Sequence, residues 1–269
     1  MRELAFAKGH GARNDFVLFA DPTGELDLTD RQVAGICDRR AGIGADGVLR
    51  AVRDPEGLWF MDYRNADGSV AEMCGNGLRV FLRFLATERL ADGDTVTVAT
   101  RAGRRTGRFL ADGRIAVTMG RVGVAEDRPQ VRVGDRAWQG VPADVGNPHV
   151  VSIVSDAGEL DGLDLSRAPE VPAGRFPQGV NAEFALVEAP GRVRMRVHER
   201  GSGETCACGT GVVAVAVVAG GAVPGGPAVV VSTPGGDLEV SLDEAGEATL
   251  TGPAVLVARG SLDLEVIGS

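Results

Sequence analysis

Two short segments of this chain hold residues able to move a proton. One reads Met73-Cys74-Gly75-Asn76-Gly77, the other Ala207-Cys208-Gly209-Thr210-Gly211. Each leads into an apolar run too long for a strand, so each cysteine is expected at the start of a buried helix. A thiol placed there is expected to have a lowered pKa. First-turn N–H groups have no intrahelical acceptor and can hold a carboxylate. The glycines let a ligand approach the backbone closely. Two such helix starts, with one thiol on either side of a carbon bearing a carboxylate, would suit inversion of that carbon. One thiolate removes the α-proton and the opposite thiol returns one to the other face. Pyridoxal phosphate bound to a lysine often eases such chemistry. Lys8 is the only lysine here and has no phosphate-cradling sequence around it, so a reaction without cofactor or metal is expected. Fixed N–H groups would then have to stabilise the developing enediolate in a closed site.

The two segments belong to a longer repeat. The cysteines are 134 positions apart (208 minus 74), and so are Asn65 and Glu199. Downstream, Val96 to Gly103 matches Val229 to Gly236, and Ile115 to Thr118 matches Ala248 to Thr251. Upstream, Asn14-Asp15-Phe16-Val17 matches Asn147-Pro148-His149-Val150. Matched segments in one order, with a single-residue slip, indicate a tandem duplication. Such a chain is expected to form two lobes related by a pseudo-two-fold axis, with equivalent residues facing one another across a cleft.

Alternating stretches at Thr95 to Ala99, Ile115 to Thr118 and Val193 to His198 predict short strands, with turns at Asp92-Gly93 and Asp112-Gly113. Asp30 to Arg39, preceded by Asp27-Leu28-Thr29, predicts a helix with an N-cap. The acidic spread from Asp156 to Asp164 predicts a solvated loop. The expected fold class is α+β: two similar lobes, each a mostly antiparallel sheet wrapped around a central helix. The first lobe is expected over residues 1–118, with 255–269 packing back on it, and the second over 119–254.

Composition narrows the function classes. The chain has 269 residues, 44% hydrophobic and 24% charged, near the average for globular proteins. A net charge of -9 argues against a nucleic-acid partner. No apolar run is long enough to span a membrane. The segment Met1 to His10 has no secretory pattern, and four cysteines do not make a disulfide scaffold. A cytoplasmic protein with reduced thiols is expected.

At this level of detail the chain resembles the diaminopimelate epimerase family. The resemblance rests on Gly11 to Phe16, Arg40 to Gly47, Asn65-Ala66-Asp67-Gly68, Met73 to Gly77, Gly146-Asn147-Pro148-His149, Val180 to Phe184, Glu199-Arg200-Gly201 and Gly203 to Gly211. It implies a cofactor-independent homodimeric enzyme of two α/β lobes, each with a curved sheet, in the lysine and peptidoglycan-precursor pathway. Its small-molecule substrate would be diaminopimelate. Cys74 and Cys208 would be base and acid, exchanging roles with direction. Gly75, Asn76, Gly209 and Thr210 would hold the carboxylate at the reacting carbon. Asn14, Asn65, Asn147, Asn181, Glu199 and Arg200 would bind the substrate's amino and carboxylate groups. His149 and Glu199 would set the protonation of the cysteines. The chain departs from the family pattern at Gly47, where members often carry Gln, and at Cys206.

The bland readings also make predictions. Cys37, His10 and His198 are expected to be structural. A thiol redox or metal protein would use Cys206 with Cys208 and have no need of Cys74. A related isomerase acting on proline or hydroxyproline would need no Arg200 and no asparagine cluster.

Overall fold

The computed structural model describes residues 3–264 and residue 267. Residues 1, 2, 265, 266, 268 and 269, which the expected first lobe includes, lie outside the described residues. The chain divides into two units, Met1–Val117 with Pro253–Ser269, and Thr118–Gly252. In order, the first contains β1 (Glu3–Gly11), β2 (Asn14–Ala20), α1 (Asp30–Cys37), β3 (Gly47–Arg53), β4 (Trp59–Asn65), α2 (Gly75–Thr87), β5 (Thr95–Thr100), β6 (Gly103–Phe109) and the start of β7 (Ile115–Arg121). The second contains β8 (Gly123–Val124), β9 (Gln130–Val133), β10 (Arg136–Asp144), β11 (Pro148–Ile153), α3 (Ala157–Asp161), β12 (Asn181–Ala189) and β13 (Arg192–Glu199). It continues with β14 (Gly203–Thr205), α4 (Gly209–Val218), β15 (Val229–Thr233), β16 (Gly236–Leu242) and β17 (Glu247–Gly252). The last strand, β18 (Val255–Asp263), pairs with β1 in the first unit.

The two units repeat one pairing pattern. In the first, the strands run β18-β1-β2-β3-β4-β5-β6-β7. The β2/β3 and β4/β5 pairs are parallel and the rest antiparallel. In the second they run β8-β10-β11-β12-β13-β15-β16-β17, with β11/β12 and β13/β15 parallel and the rest antiparallel. The fold is therefore a duplicated, mostly antiparallel α+β architecture.

Each sheet covers one helix. Buried Leu78, Phe81, Leu82 and Leu85 lie on α2, which packs on β1, β2, β3 and β18. Helix α4 is apolar on every side, and Val212, Val213, Val215 and Ala216 are all buried. Such a helix must be enclosed, and β10 to β13 with β15 to β17 pack against it. Each buried valine contributes about 1.5–3 kcal/mol.

Three elements differ from expectation. Helix α1 ends at Cys37, because Asp38 Oδ1 accepts the N–H groups of Arg40 and Ala41 and turns the chain. Its start follows the capping signal, with Thr29 and Gln32 forming a reciprocal box. The acidic stretch holds the short helix α3: Asp156 caps it and Leu160 is buried beneath it. The apolar run after Cys208 stops being helical at Val218. There Ala222 N–H reaches back to Ala216 O over Gly221, at φ 74°, a glycine-dependent stop.

Candidate active site

Each unit builds a cluster around its cysteine. Cys74 is the extended N-cap residue of α2, half-buried, with Gly77 N–H donating to its sulfur at 3.4 Å. The thiol in turn donates to Asn14 Oδ1 at 3.4 Å, and Asn76 Nδ2 donates to the same oxygen at 3.4 Å. The orientations of both amides are fixed from outside. Asp46 accepts from Asn14 Nδ2 at 2.7 Å, and Arg79, which can only donate, bonds Asn76 Oδ1 at 2.8 Å. Arg79 also donates to Gly75 O and Pro253 O. Its guanidinium is fully buried, which pushes its pKa down to about 10, while the interaction with Cys74 favours its charge.

Cys208 is the extended N-cap of α4 and is buried. Its sulfur lies 3.5 Å from Thr210 Oγ1, which accepts from Asn147 Nδ2 at 3.3 Å. Asn147 Oδ1 is 2.8 Å from His149 Nε2, and His149 Nδ1 is 2.7 Å from Glu183 Oε1. His149 and Glu183 are wholly buried. Burial pushes the Glu183 carboxyl up, against the neighbouring imidazole that favours its anion. Glu199, at the end of β13, is pushed up to about 6 by burial, although the Thr205 hydroxyl and the Cys208 thiol favour its anion.

The expectation that a helix N-terminus lowers both thiol pKa values fails at Cys208. Burial, then the carboxylates of Glu199 and Glu183, push it well above the ordinary thiol range. Desolvation and two like charges outweigh the dipole of one helix end.

The remaining expected site residues lie at strand ends. Asn65 closes β4 and donates to Ser69 Oγ at 3.0 Å. Asn181 opens β12, donates to Pro148 O and accepts Arg200 N–H at 2.9 Å. Arg200 is exposed, and its guanidinium donates to Gln178 O. Gly75, Asn76, Gly209 and Thr210 form the buried first turns of α2 and α4. The glycine at 47 has a local reason: a Cβ there would lie 2.6 Å from Arg64 O and 2.7 Å from Tyr63 Cε2. Of the other thiols, Cys37 is buried and pushed up to about 12 by burial, and Cys206 is exposed. His198 is buried against Leu165 O. Among the described residues, no three His, Cys, Asp or Glu side chains group to hold a metal ion, and no helix is long and apolar enough to cross a membrane.

Among the cluster residues that escaped the sequence reading are Arg79 and Glu183. Arg79 sits within an apolar helical run, where a single charged residue in the first turns was its only signal. Glu183 lies in the Val180 to Phe184 stretch, within the first five residues of β12, all of which are buried, so no alternation marked it.

The sequence model for diaminopimelate epimerase matches residues 6–124 and 141–257. This chain belongs to the diaminopimelate epimerase family. It is 47% identical to the diaminopimelate epimerase of Streptomyces coelicolor, over 97% of this chain and 96% of that protein. It is 48% identical to that of Thermobifida fusca, over 98% and 100%. Like them it is an epimerase, an isomerase by reaction class. The fold extends beyond the diaminopimelate epimerases. A hydroxyproline epimerase from Agrobacterium vitis superposes with a TM-score of 0.74 at 16% identity, over 99% of this chain and 95% of that one. A phenazine-biosynthesis PhzF-family protein from Bacillus anthracis gives 0.70 at 14% identity, over 98% and 100%.

Proposed function

We propose that this epimerase interconverts LL- and meso-2,6-diaminopimelate by a two-base reaction at one α-carbon, with Cys74 and Cys208 as the two proton carriers. The observation that supports this most is the pair of repeat-equivalent cysteines, each capping a buried helix whose first turn carries glycine. The Cys74 thiolate takes the α-proton and becomes a thiol. The electron pair left behind spreads into the carboxylate as an enediolate. The Cys208 thiol then delivers its proton to the opposite face and becomes a thiolate. The reverse direction exchanges the roles.

First-turn N–H groups of α2 and α4 bind the carboxylate and stabilise the enediolate as charge moves onto its oxygens. Asn14 and Asn147 orient the two sulfurs, directly and through Thr210. Glu199, ionised above about pH 6, takes a substrate ammonium, and Arg200 a carboxylate. Asn65 and Asn181 complete the polar contacts. By this reading the product enters lysine and peptidoglycan-precursor synthesis.

The test is incubation with LL-diaminopimelate in deuterium oxide under reductant, separating isomers and locating label. The expected result is the meso isomer with deuterium at the inverted α-carbon. Inversion without solvent label, or no inversion of this substrate while proline or hydroxyproline is racemised, would overturn the proposal.

A further inference from the structure

One pair of core positions is filled by opposite chemistry in the two units. In the first, β2 runs parallel to β3 with Phe16 beside Gly47 and Leu18 beside Leu49. In the second, β11 runs parallel to β12 in the same register, with His149 beside Asn181 and Val151 beside Glu183. His149 thus stands where the first unit has Phe16, and Glu183 where it has Leu49. All four side chains are fully buried. An apolar pair satisfies these positions in one copy of the fold. An imidazole and a carboxyl taken out of water cost stability that such a pair does not, so packing alone does not account for them.

The polar pair leads to the cysteine through an unbroken run of hydrogen-bond partners. Glu183 Oε1 lies 2.7 Å from His149 Nδ1, close enough that the two share a proton. His149 Nε2 lies 2.8 Å from Asn147 Oδ1, an oxygen that can only accept, so the imidazole donates there. Asn147 Nδ2 donates to Thr210 Oγ1 at 3.3 Å, and that hydroxyl lies 3.5 Å from Cys208 Sγ. All of these side chains except Asn147 are buried. Glu183 also touches the helix that Cys208 caps: a Cβ on Gly211 would lie 2.6 Å from its Oε1. The motif glycine leaves room for the carboxyl beside the first turn of α4. In the first unit the neighbour of Gly77 is the Phe16 ring, and Asn14 meets Cys74 with no intermediary.

We infer that Glu183 is a positioning residue: from β12 it fixes His149, and through His149, Asn147 and Thr210 it fixes the Cys208 thiol at the start of α4. For its catalytic meaning this rests on the two-base reading. A sulfur that passes a proton to or from carbon must meet it at one distance and angle. The carboxyl orients the imidazole, the imidazole orients the amide, and the amide orients the hydroxyl beside the sulfur.

Steady-state kinetics in a double-mutant cycle test the inference. Glu183→Gln keeps the shape of the side chain and removes the carboxyl. It is expected to lower kcat by about tenfold to a hundredfold, the cost of misplacing a reacting group, with KM within about twofold of the parent. Glu183→Asp keeps a carboxyl on a shorter arm and is expected to retain more activity than Glu183→Gln. Thr210→Val cuts the run before the sulfur, and Glu183→Gln in that background is expected to change kcat by less than about twofold. A full loss in both backgrounds, or a Glu183→Gln enzyme with parental kcat, overturns the inference. His149→Phe combined with Glu183→Leu installs the residues of the first unit, so this double variant is expected to fold and still to lose kcat; parental kcat overturns the inference. In the unaltered protein, histidine-selective nitrogen NMR spectra are expected to show a strongly deshielded, slowly exchanging proton on His149 Nδ1. Its absence overturns the inference even if no variant folds. The cycle is run on whichever amino acid the wild type inverts, so inversion of proline in place of diaminopimelate faults the proposed substrate and leaves the positioning role standing. Full activity in Cys208→Ala overturns the two-base reading and the inference together.

Discussion

The two motif glycines Gly77 and Gly211 are repeat equivalents, yet alanine should affect them differently. Both occupy the first turn of a helix, where glycine to alanine alone should stabilise by about 0.5–1 kcal/mol. At position 77 the new methyl would meet Phe16 Cζ at 3.3 Å and Cys74 Cβ at 3.4 Å, a tight fit that a small ring movement relieves. At 211 it would lie 2.6 Å from Glu183 Oε1 and 3.2 Å from Cys208 Cβ. Glu183 cannot swing away, because it is wholly buried and held by His149 at 2.7 Å. Overpacking costs about 1–3 kcal/mol, and displacing a hydrogen bond to a charged group about 1.5–3 kcal/mol more. Gly211→Ala should therefore lose about 2–5 kcal/mol after the helix gain. Gly77→Ala should stay within about 1 kcal/mol of the parent. Urea unfolding can be read unit by unit: Trp59 reports the first, and Trp138, stacked edge-on to Phe184 at 5.1 Å, reports the second. Gly211→Ala should advance only the Trp138 transition, and Glu183→Ala should relieve most of the added cost as a coupled pair. Equal effects of the two alanines, or no coupling to Glu183, would refute the packing argument.

Other outcomes follow from the same geometry. Glu199 has a raised pKa near 6, so its anion is present above that value and lost as pH falls through it. Substrate kcat/KM should drop below about pH 6, and Glu199→Gln should remove that limb while raising KM at every pH. The raised value also means that the folded state binds more protons than the unfolded state between the ordinary carboxylate range and about 6. This group's share of stability thus falls as pH rises through that window, and the slope should be absent from Glu199→Gln in denaturation profiles. Arg79→Met should lower the unfolding free energy by about 1–3 kcal/mol for each buried acceptor left without a donor, seen as an earlier Trp59 transition. Arg79→Lys cannot span Gly75, Asn76 and Pro253 together and should recover only part of that loss.

The cysteines as helix caps were legible because Cys-Gly-x-Gly before an apolar run has few other readings, and because the pattern occurs twice at one spacing. The strand pairing repeats for the same reason, since each alternating stretch has its counterpart. What sequence hid depends on side chains brought together from separate strands. The rise of the Cys208 pKa comes first from burial and then from Glu199 on β13 and Glu183 on β12, and proximity in the chain does not announce either carboxylate. Gly47 stood out only as a departure from the family pattern, whereas Arg64 O and the ring of Tyr63 on the neighbouring strand fill the space a side chain would need. The end of α4 was not marked by its composition, because apolar content continues past Val218, while the backbone turns at Gly221.

The central claim is that one thiol from each repeat handles the α-proton. Cys74→Ala, Cys208→Ala and Cys37→Ala should be compared for conversion of LL-diaminopimelate to the meso isomer, with all three shown to be folded. The first two should lose conversion by orders of magnitude, and Cys37→Ala, which removes a buried thiol outside both clusters, should keep it. Near-normal conversion by either Cys74→Ala or Cys208→Ala would contradict the account.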